Sequence, residues 1–265
     1  MATTPPHADV LTFAERRSDS PLVERVWRSH SERGGRFLSV AQSHFEMAVT
    51  RHRGRTFITL RGPETTATPA ACPAEGEWVG IRFALGTFMP GLTPGELRDR
   101  RDATLPAASG RSFWLDGSAW EYPTFENADV FVARLARKGL IARDFVVDAM
   151  LQGRGGRLPL RSAQRHFLQA TGITHRTVLT IERARRAALL LRDGASILDV
   201  VHDAGYFDQA HLTRALRALI GTTPAETRRG TQQLSFLYKA SVLPPDYADP
   251  GRFVEHGYGA DRRLA

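Results

Sequence analysis

Two ten-residue stretches, RHFLQATGIT (Arg165 to Thr174) and RALRALIGTT (Arg214 to Thr223), align without a gap at an offset of 49 residues. Arg165 falls on Arg214, Phe167 on Leu216, Gly172 on Gly221 and Thr174 on Thr223. A repeat of that period implies a duplicated supersecondary unit, which restricts the fold more than any compositional property does. Each copy predicts a helix closed by a glycine turn. Ala163, Phe167 and Ala170 stand at i, i+4 and i+7, as do Leu212, Leu216 and Leu219, so each helix offers one apolar stripe to a core. The opposite faces are polar. Arg161, Gln164 and Arg165 share one of them, while Ala210, Thr213 and Arg214 share the other, flanked by Gln209 and His211. Arg and Gln carry the paired donors and acceptors that match guanine and adenine edges in a major groove, which makes these faces candidate reading faces.

The residues before the second copy sharpen this expectation. Ser196-Ile197-Leu198-Asp199 has the form of a capping box, Gly205 suits a helix end with positive φ, and Asp208 suits the cap of the next helix, running from about Asp208 to Leu219. Helix, glycine turn and second helix make a helix-turn-helix, whose second helix enters the groove. Between the copies, His175 to Arg192 contains no Gly or Pro. As one helix it would span roughly 27 Å, a strut suited to two units aimed at major grooves about 34 Å apart.

With AGYFDQAHLTRALRALIGTTP (Ala204 to Pro224) in its second unit, this arrangement resembles the DNA-binding domain of AraC-type transcriptional regulators. The resemblance covers about 75 residues. It implies duplex DNA as partner and base-approaching positions at Arg161, Gln164, Arg165, Gln209, Ala210, His211 and Arg214, with Thr213 at a backbone-contacting position. It also implies an N-terminal β-rich, cupin-like module that binds a small effector or mediates homodimerisation. The first unit departs from the family pattern: Gln152-Gly153-Arg154-Gly155-Gly156-Arg157-Leu158-Pro159-Leu160 stands where an amphipathic helix and a Ser or Thr cap are usual. Three glycines disfavour helix and Pro159 favours an extended residue before it, so a shortened or displaced first helix is expected there.

The remaining 190 or so residues set the frame, since 265 are enough for two cores. Cys72 is the only cysteine, which rules out an internal disulfide and a CxxC metal or redox site. No apolar run approaches a membrane span and Met1 to Val10 does not read as a signal peptide; a cytoplasmic protein without a membrane role is expected. A net charge of +8 points to a polyanionic partner. Only Lys138 and Lys239 are lysines, and an arginine bias also arises from base composition, so distribution decides the matter. From Arg157 to Gly230 there are 12 Arg against six acids, which places most of the excess in under a third of the chain.

In chain order, residues 1–20 predict a disordered leader and 21–125 a β-rich regulatory domain. Its strands are expected at Phe37 to Gln42, His44 to Arg51, Thr56 to Leu60 and Trp78 to Leu85, with a hairpin turn at His52-Arg53-Gly54-Arg55. Residues 126–156 predict a helical connector, with Asn127 capping Ala128 to Lys138 and Asp144 capping Phe145 to about Gln152. Residues 157–230 form the DNA-binding domain and 231–265 a tail whose Leu234 to Tyr238 is apolar enough to dock on it. The expected fold class is α+β in two domains, the second all-α with two helix-turn-helix units joined by a long helix.

Two other functions fit parts of the sequence. His44, Glu46 and His52 are metal-ligating types on a strand, as in a cupin-like metal-dependent enzyme, although their spacing matches no strong signature and the loop beside them is cationic. Trp27, Trp78, Phe83, Phe88, Trp114, Trp120 and Tyr122 would either line an effector pocket or form core, and a small-molecule-binding protein with a degenerate DNA-binding unit would need only the former. Cys72 reads as an inert loop thiol, since a sensing role requires a lowered pKa. No catalytic triad, phosphate loop, cofactor or metal site is expected.

Overall fold

A strand over Glu46–His52 must send Met47 and Val49 one way and Glu46 and Ala48 the other. In the computed structural model, which describes residues 11–99, 102–154, 158–230 and Leu234, all four are buried. Both faces of the sheet are therefore covered, and by different parts of the chain.

The N-terminal region contains β1 (Thr12–Arg17), β2 (Val23–Ser31), β3 (Gly35–Ser39), β4 (Glu46–His52), β5 (Arg55–Arg61), β6 (Thr68–Cys72), β7 (Gly76–Phe83), β8 (Thr87–Phe88), β9 (Ala103–Leu105), β10 (Ala107–Ser109), β11 (Ser112–Leu115) and β12 (Ser118–Glu121). Six of these make an antiparallel sheet in the order β1-β2-β7-β4-β5-β9. β10-β11-β12 form a small meander and β3-β6 a separate ribbon. The turn from β4 to β5 is Arg53-Gly54, both at positive φ, as the hairpin composition implied. Thr12–Arg17, expected in the leader, instead pair along their whole length with β2. That pairing is non-local and leaves little trace in so short a segment; residues 1–10 lie outside the described residues.

One sheet face sends Val26, Met47, Val49, Ile58, Leu60, Ile81 and Phe83 into the first core. The meander closes it with Phe113, Trp120 and Tyr122, and α1 (Ala128–Arg137) with Phe131, Val132 and Leu135. Trp120 meets Phe131 edge-on at 6.0 Å between centroids. Asn127 stands at the start of α1 but its side chain does not cap it, accepting instead from the Thr124 backbone N–H.

β13 (Ala142–Arg143) then pairs with β8 and leads into α2 (Phe145–Leu151), α3 (Leu160–Thr171), α4 (His175–Arg192), α5 (Ile197–Asp203), α6 (Gln209–Leu219) and α7 (Pro224–Arg229). Phe167, Val178, Ile181, Ala188, Leu191, Val200, Leu212 and Leu216 anchor a second core, which also takes in Val147 from α2 and Val40 and Ala41 from the N-terminal region. The two helices of the expected connector thus separate, α1 packing on the first core and α2 on the second. Leu234 bridges to Leu38 and packs against the second core; Arg157, residues 231–233 and 235–265 lie outside the described residues.

Candidate nucleic-acid interface

Local chemistry builds the second helix-turn-helix. Ser196 accepts a hydrogen bond from the Asp199 N–H and starts α5; its hydroxyl donates to the Asp199 carboxylate, which does not reach back to the Ser196 N–H as a full capping box would. Gly205 lies at φ +67° in the turn. Asp208 accepts from the His211 N–H at 2.6 Å and starts α6. Leu212, Leu216 and Leu219 are buried as the periodicity required. A full capping box does occur at Thr223 and Glu226, at the head of α7, where the Thr223 backbone and hydroxyl hold the Glu226 carboxyl below its usual range.

On the outer side of α6, Gln209, Ala210 and Arg214 are exposed and His211 and Thr213 half-buried. The side chains of Gln209 and Arg214 form no hydrogen bond or ion pair with the described residues, which leaves their donors for a ligand. Two of the expected positions already have work inside the fold. His211 packs edge-on to Tyr206 at 5.1 Å and its Nδ1 lies 3.5 Å from the Phe207 N–H. The Thr213 hydroxyl donates to the Gln209 carbonyl at 2.8 Å, so toward a phosphate it would act through its lone pairs or after rotating. Burial pushes the Tyr206 phenol up to about 12, with Arg183 lying 5.0 Å from the ring centroid, so this residue is a neutral packing element.

The first unit repeats the helix with one buried and one polar face but is held by other means. α3 carries Arg161, Gln164 and Arg165 exposed on one face and Ala163, Phe167 and Ala170 buried on the other. Its N-terminus is Pro159, which provides no capping side chain, and eight residues, 152–159, separate it from α2. α2 is a helix of seven residues capped by Asp144, so the first helix is present; Gly155 and Gly156 lie outside the described residues. Asp144 also holds His166 of α3 at 2.9 Å, a tertiary clip between the two helices.

α4 lies between the two units and is fixed to the segment joining β3 and β4. It begins with the Thr174 cap and runs 18 residues, as its lack of Gly and Pro predicted. Arg185 sits at an inward position of its apolar stripe, between Ile181 and Ala188, and is 5% exposed. Its guanidinium donates to the Ala41 carbonyl at 3.1 Å, and Glu182 accepts from the Ser43 hydroxyl at 2.8 Å. Beyond them, on the sheet face away from the first core, Arg82 and Glu46 form a buried pair at 2.6 Å, and His44 Nε2 lies 2.9 Å from Glu24. Glu46 and then Glu24 hold the Arg82 guanidinium charged despite burial, whereas Arg185 is pushed down by burial and by Arg82, opposed by Glu182. Removing one partner from such a site typically costs about 3–5 kcal/mol, because the other charge stays buried.

A second attachment lies at the C-terminal ends of α3 and α6. The Ala67 and Ala41 N–H groups donate to the Ala218 and Leu219 carbonyls of α6, each at 2.8 Å, satisfying groups that a helix end leaves free. The two glycines that the repeat superposes are both docking points. A Cβ on Gly172 would stand 2.6 Å from the Gly95 backbone nitrogen, and one on Gly221 3.0 Å from Leu38 Cδ1. The N-terminal region therefore touches equivalent places in both units. A charged residue inside an apolar stripe was the one trace of this interface in the sequence.

His44, Glu46 and His52 are not brought together, and four of the seven aromatics are buried. Glu46 is committed to Arg82 and His44 faces Glu24, while His52 lies six residues along the strand from Glu46, roughly 20 Å away. Trp27, Phe83, Trp120 and Tyr122 are buried, and Trp114 is exposed. Of the seven aromatics only Trp78 lines a groove of about 520 Å³ at the end of the first core, with Phe13, Arg28, His30, Arg51 and Phe125. Cys72 is buried beside Ser31. No described helix is long and apolar enough to cross a membrane.

A family model described as a helix-turn-helix domain matches residues 157–230. No curated protein matches this chain. Among solved structures, that of ToxT from Vibrio cholerae (P21 form, 1.65 Å resolution) is similar at a TM-score of 0.38 and 10% identity, over 82% of this chain and 98% of that one.

Proposed function

We propose, from the premise that residues 157–230 are an AraC-type helix-turn-helix domain of a DNA-binding transcriptional regulator, that α3 and α6 enter successive major grooves on one face of duplex DNA. The observation that carries this reading is the pair of outward polar faces at equivalent places in the two repeats, each backed by a buried stripe and free of internal partners at Arg161, Gln164, Arg165, Gln209 and Arg214. Arg214 and Gln209 read bases, with Arg161, Gln164 and Arg165 doing so in the first unit; His211 and Ala210 border the same surface, and Thr213 faces the backbone. Phosphate contacts from the arginine-rich frame supply salt-dependent affinity. The protein acts in the cytoplasm, needs no cofactor and catalyses no reaction.

Regulation follows from the two attachments. A small effector bound by the β-rich domain, for which the groove beside Phe125 is one concavity, changes DNA affinity only if it binds the docked and undocked arrangements unequally. The elements that would transmit the difference are the Glu182–Arg185 patch and the ribbon and loop touching Gly221 and Gly172. Selection from a random duplex pool at fixed salt, with the full chain and with residues 140–265, tests the reading. A shared motif spanning two major grooves is expected; a single short half-site would restrict base reading to α6, and no enrichment from either would overturn it.

A further inference from the structure

Phe207 immediately precedes the Asp208 cap of α6 and is 91% exposed. An apolar residue at that position commonly packs on the fourth residue of the helix as a hydrophobic staple. Here that residue is Leu212, which is fully buried, and Tyr206 instead occupies the interior beside His211. The Phe207 ring thus does nothing for the fold, yet its backbone is held firmly, because its N–H meets His211 Nδ1 and the next residue is fixed by the cap. The ring projects from the N-terminal end of α6, the end whose residues reach base edges in a helix-turn-helix. Gln209 and Ala210, the first two residues of α6, are exposed as well.

A benzene ring offers no donor or acceptor to a phosphate or to a purine edge. The one apolar group on the major-groove floor is the thymine 5-methyl. We infer that Phe207 is a specificity-determining residue of α6 that packs on a thymine methyl, with Ala210 beside it, and so selects thymine at one position of the half-site that Gln209 and Arg214 read. This rests on the reading that α6 enters the major groove. The aromatic contact adds selectivity of a kind that Arg and Gln do not provide, because uracil and thymine present identical hydrogen-bonding edges and differ only in the methyl.

That difference is the test. In the selected duplex, each thymine of the α6 half-site is replaced in turn by uracil, and binding is measured at fixed salt for the full chain, Phe207→Ala and Phe207→Leu. One uracil position is expected to weaken the unaltered protein about fourfold, the worth of one buried methyl group. Phe207→Ala should weaken binding to the thymine duplex similarly, lose all response to that uracil, and leave the other uracil positions unchanged; Phe207→Leu should retain part of the response. The inference is overturned if Phe207→Ala binds like the parent, or responds to every uracil as the parent does, and the exposed ring is then free for a protein partner. Arg214→Ala in the same series separates this failure from failure of the groove reading: if it too changes nothing, α6 does not read DNA at all.

Discussion

The two helix-turn-helix units share a pattern of stripes and turns but differ in what holds them. In the second, the stabilising groups lie within a few residues of what they stabilise: Ser196 on Asp199, Asp208 on His211, and a five-residue turn with Gly205. In the first, α3 begins on an uncapped Pro159 after an eight-residue connection, and the compensating contacts come from farther away. Asp144 clips His166, Val147 packs against Gly86, β13 ties the entry of α2 to β8, and Gly172 lies against Pro94 and Gly95. A duplicated motif can keep its geometry after losing its local signals, provided a neighbouring domain supplies the missing constraints.

The sharpest way to break this comparison is the same substitution at the two superposed glycines. Gly172→Ala would combine a left-handed backbone at φ +75° with contact against backbone atoms that cannot turn aside, and is expected to cost about 3 kcal/mol or more. Gly221→Ala meets the end of the Leu38 side chain, which can move, and should cost about 1–2 kcal/mol. Urea unfolding of the full chain measures both, and equal losses would mean that the N-terminal region grips the two units alike.

On DNA the order should reverse. Arg214→Ala is expected to reduce affinity for the selected site by about 10- to 100-fold, and Arg165→Ala by under about tenfold, since α3 rests on a longer and less constrained entry. A larger effect at Arg165 would make the first unit the principal reader. Capping gives a smaller and purely local contrast: Asp208→Ala should cost about 1 kcal/mol, whereas Pro159→Asp should stabilise by roughly 0.5–1 kcal/mol through the cap that α3 lacks. Pro159→Asp leaving stability unchanged would show that a side chain there cannot reach the first-turn N–H groups.

The smallest effect is in pH dependence. His175, which packs edge-on against Phe167 at 5.1 Å, has its pKa pushed down by burial, and the repeat places Pro224 at the equivalent position of the second unit. Because the folded pKa lies below the unfolded value of about 6.5, the unfolded chain binds more protons between the two, and stability falls as pH drops through that range. Protection factors in α3 and the start of α4, taken relative to the intrinsic exchange rate at each pH, should fall below about pH 6.5 while those in α6 stay unchanged, and His175→Phe should remove the difference.

Legibility of these features followed the range of the interactions behind them. The stripes of α3 and α6, the caps at Ser196 and Asp208, the uninterrupted α4 and the Arg53-Gly54 turn depend on groups a few residues apart, and all were readable. The Asn127 cap was misread because the Thr124 N–H competes for the same carbonyl oxygen. His44 and Glu46, metal-ligating types by composition, instead face Glu24 and Arg82 on the sheet side away from the first core, a pairing of distant residues that no local pattern records.

By itself the sequence determined the duplicated helical units, the outward placement of Arg161, Gln164, Arg165, Gln209, Ala210 and Arg214, and the β-rich character of the region before them. Periodicity and capping act over one or two turns, so they are written where they operate. Only the tertiary structure decided that Thr12–Arg17 form an edge strand, that Arg185 is buried against Ala41, and that Gly172 and Gly221 meet the N-terminal region. Each of these depends on which distant surfaces meet, and burial of a charge or exclusion of a Cβ is fixed by the partner's shape, which no local pattern encodes.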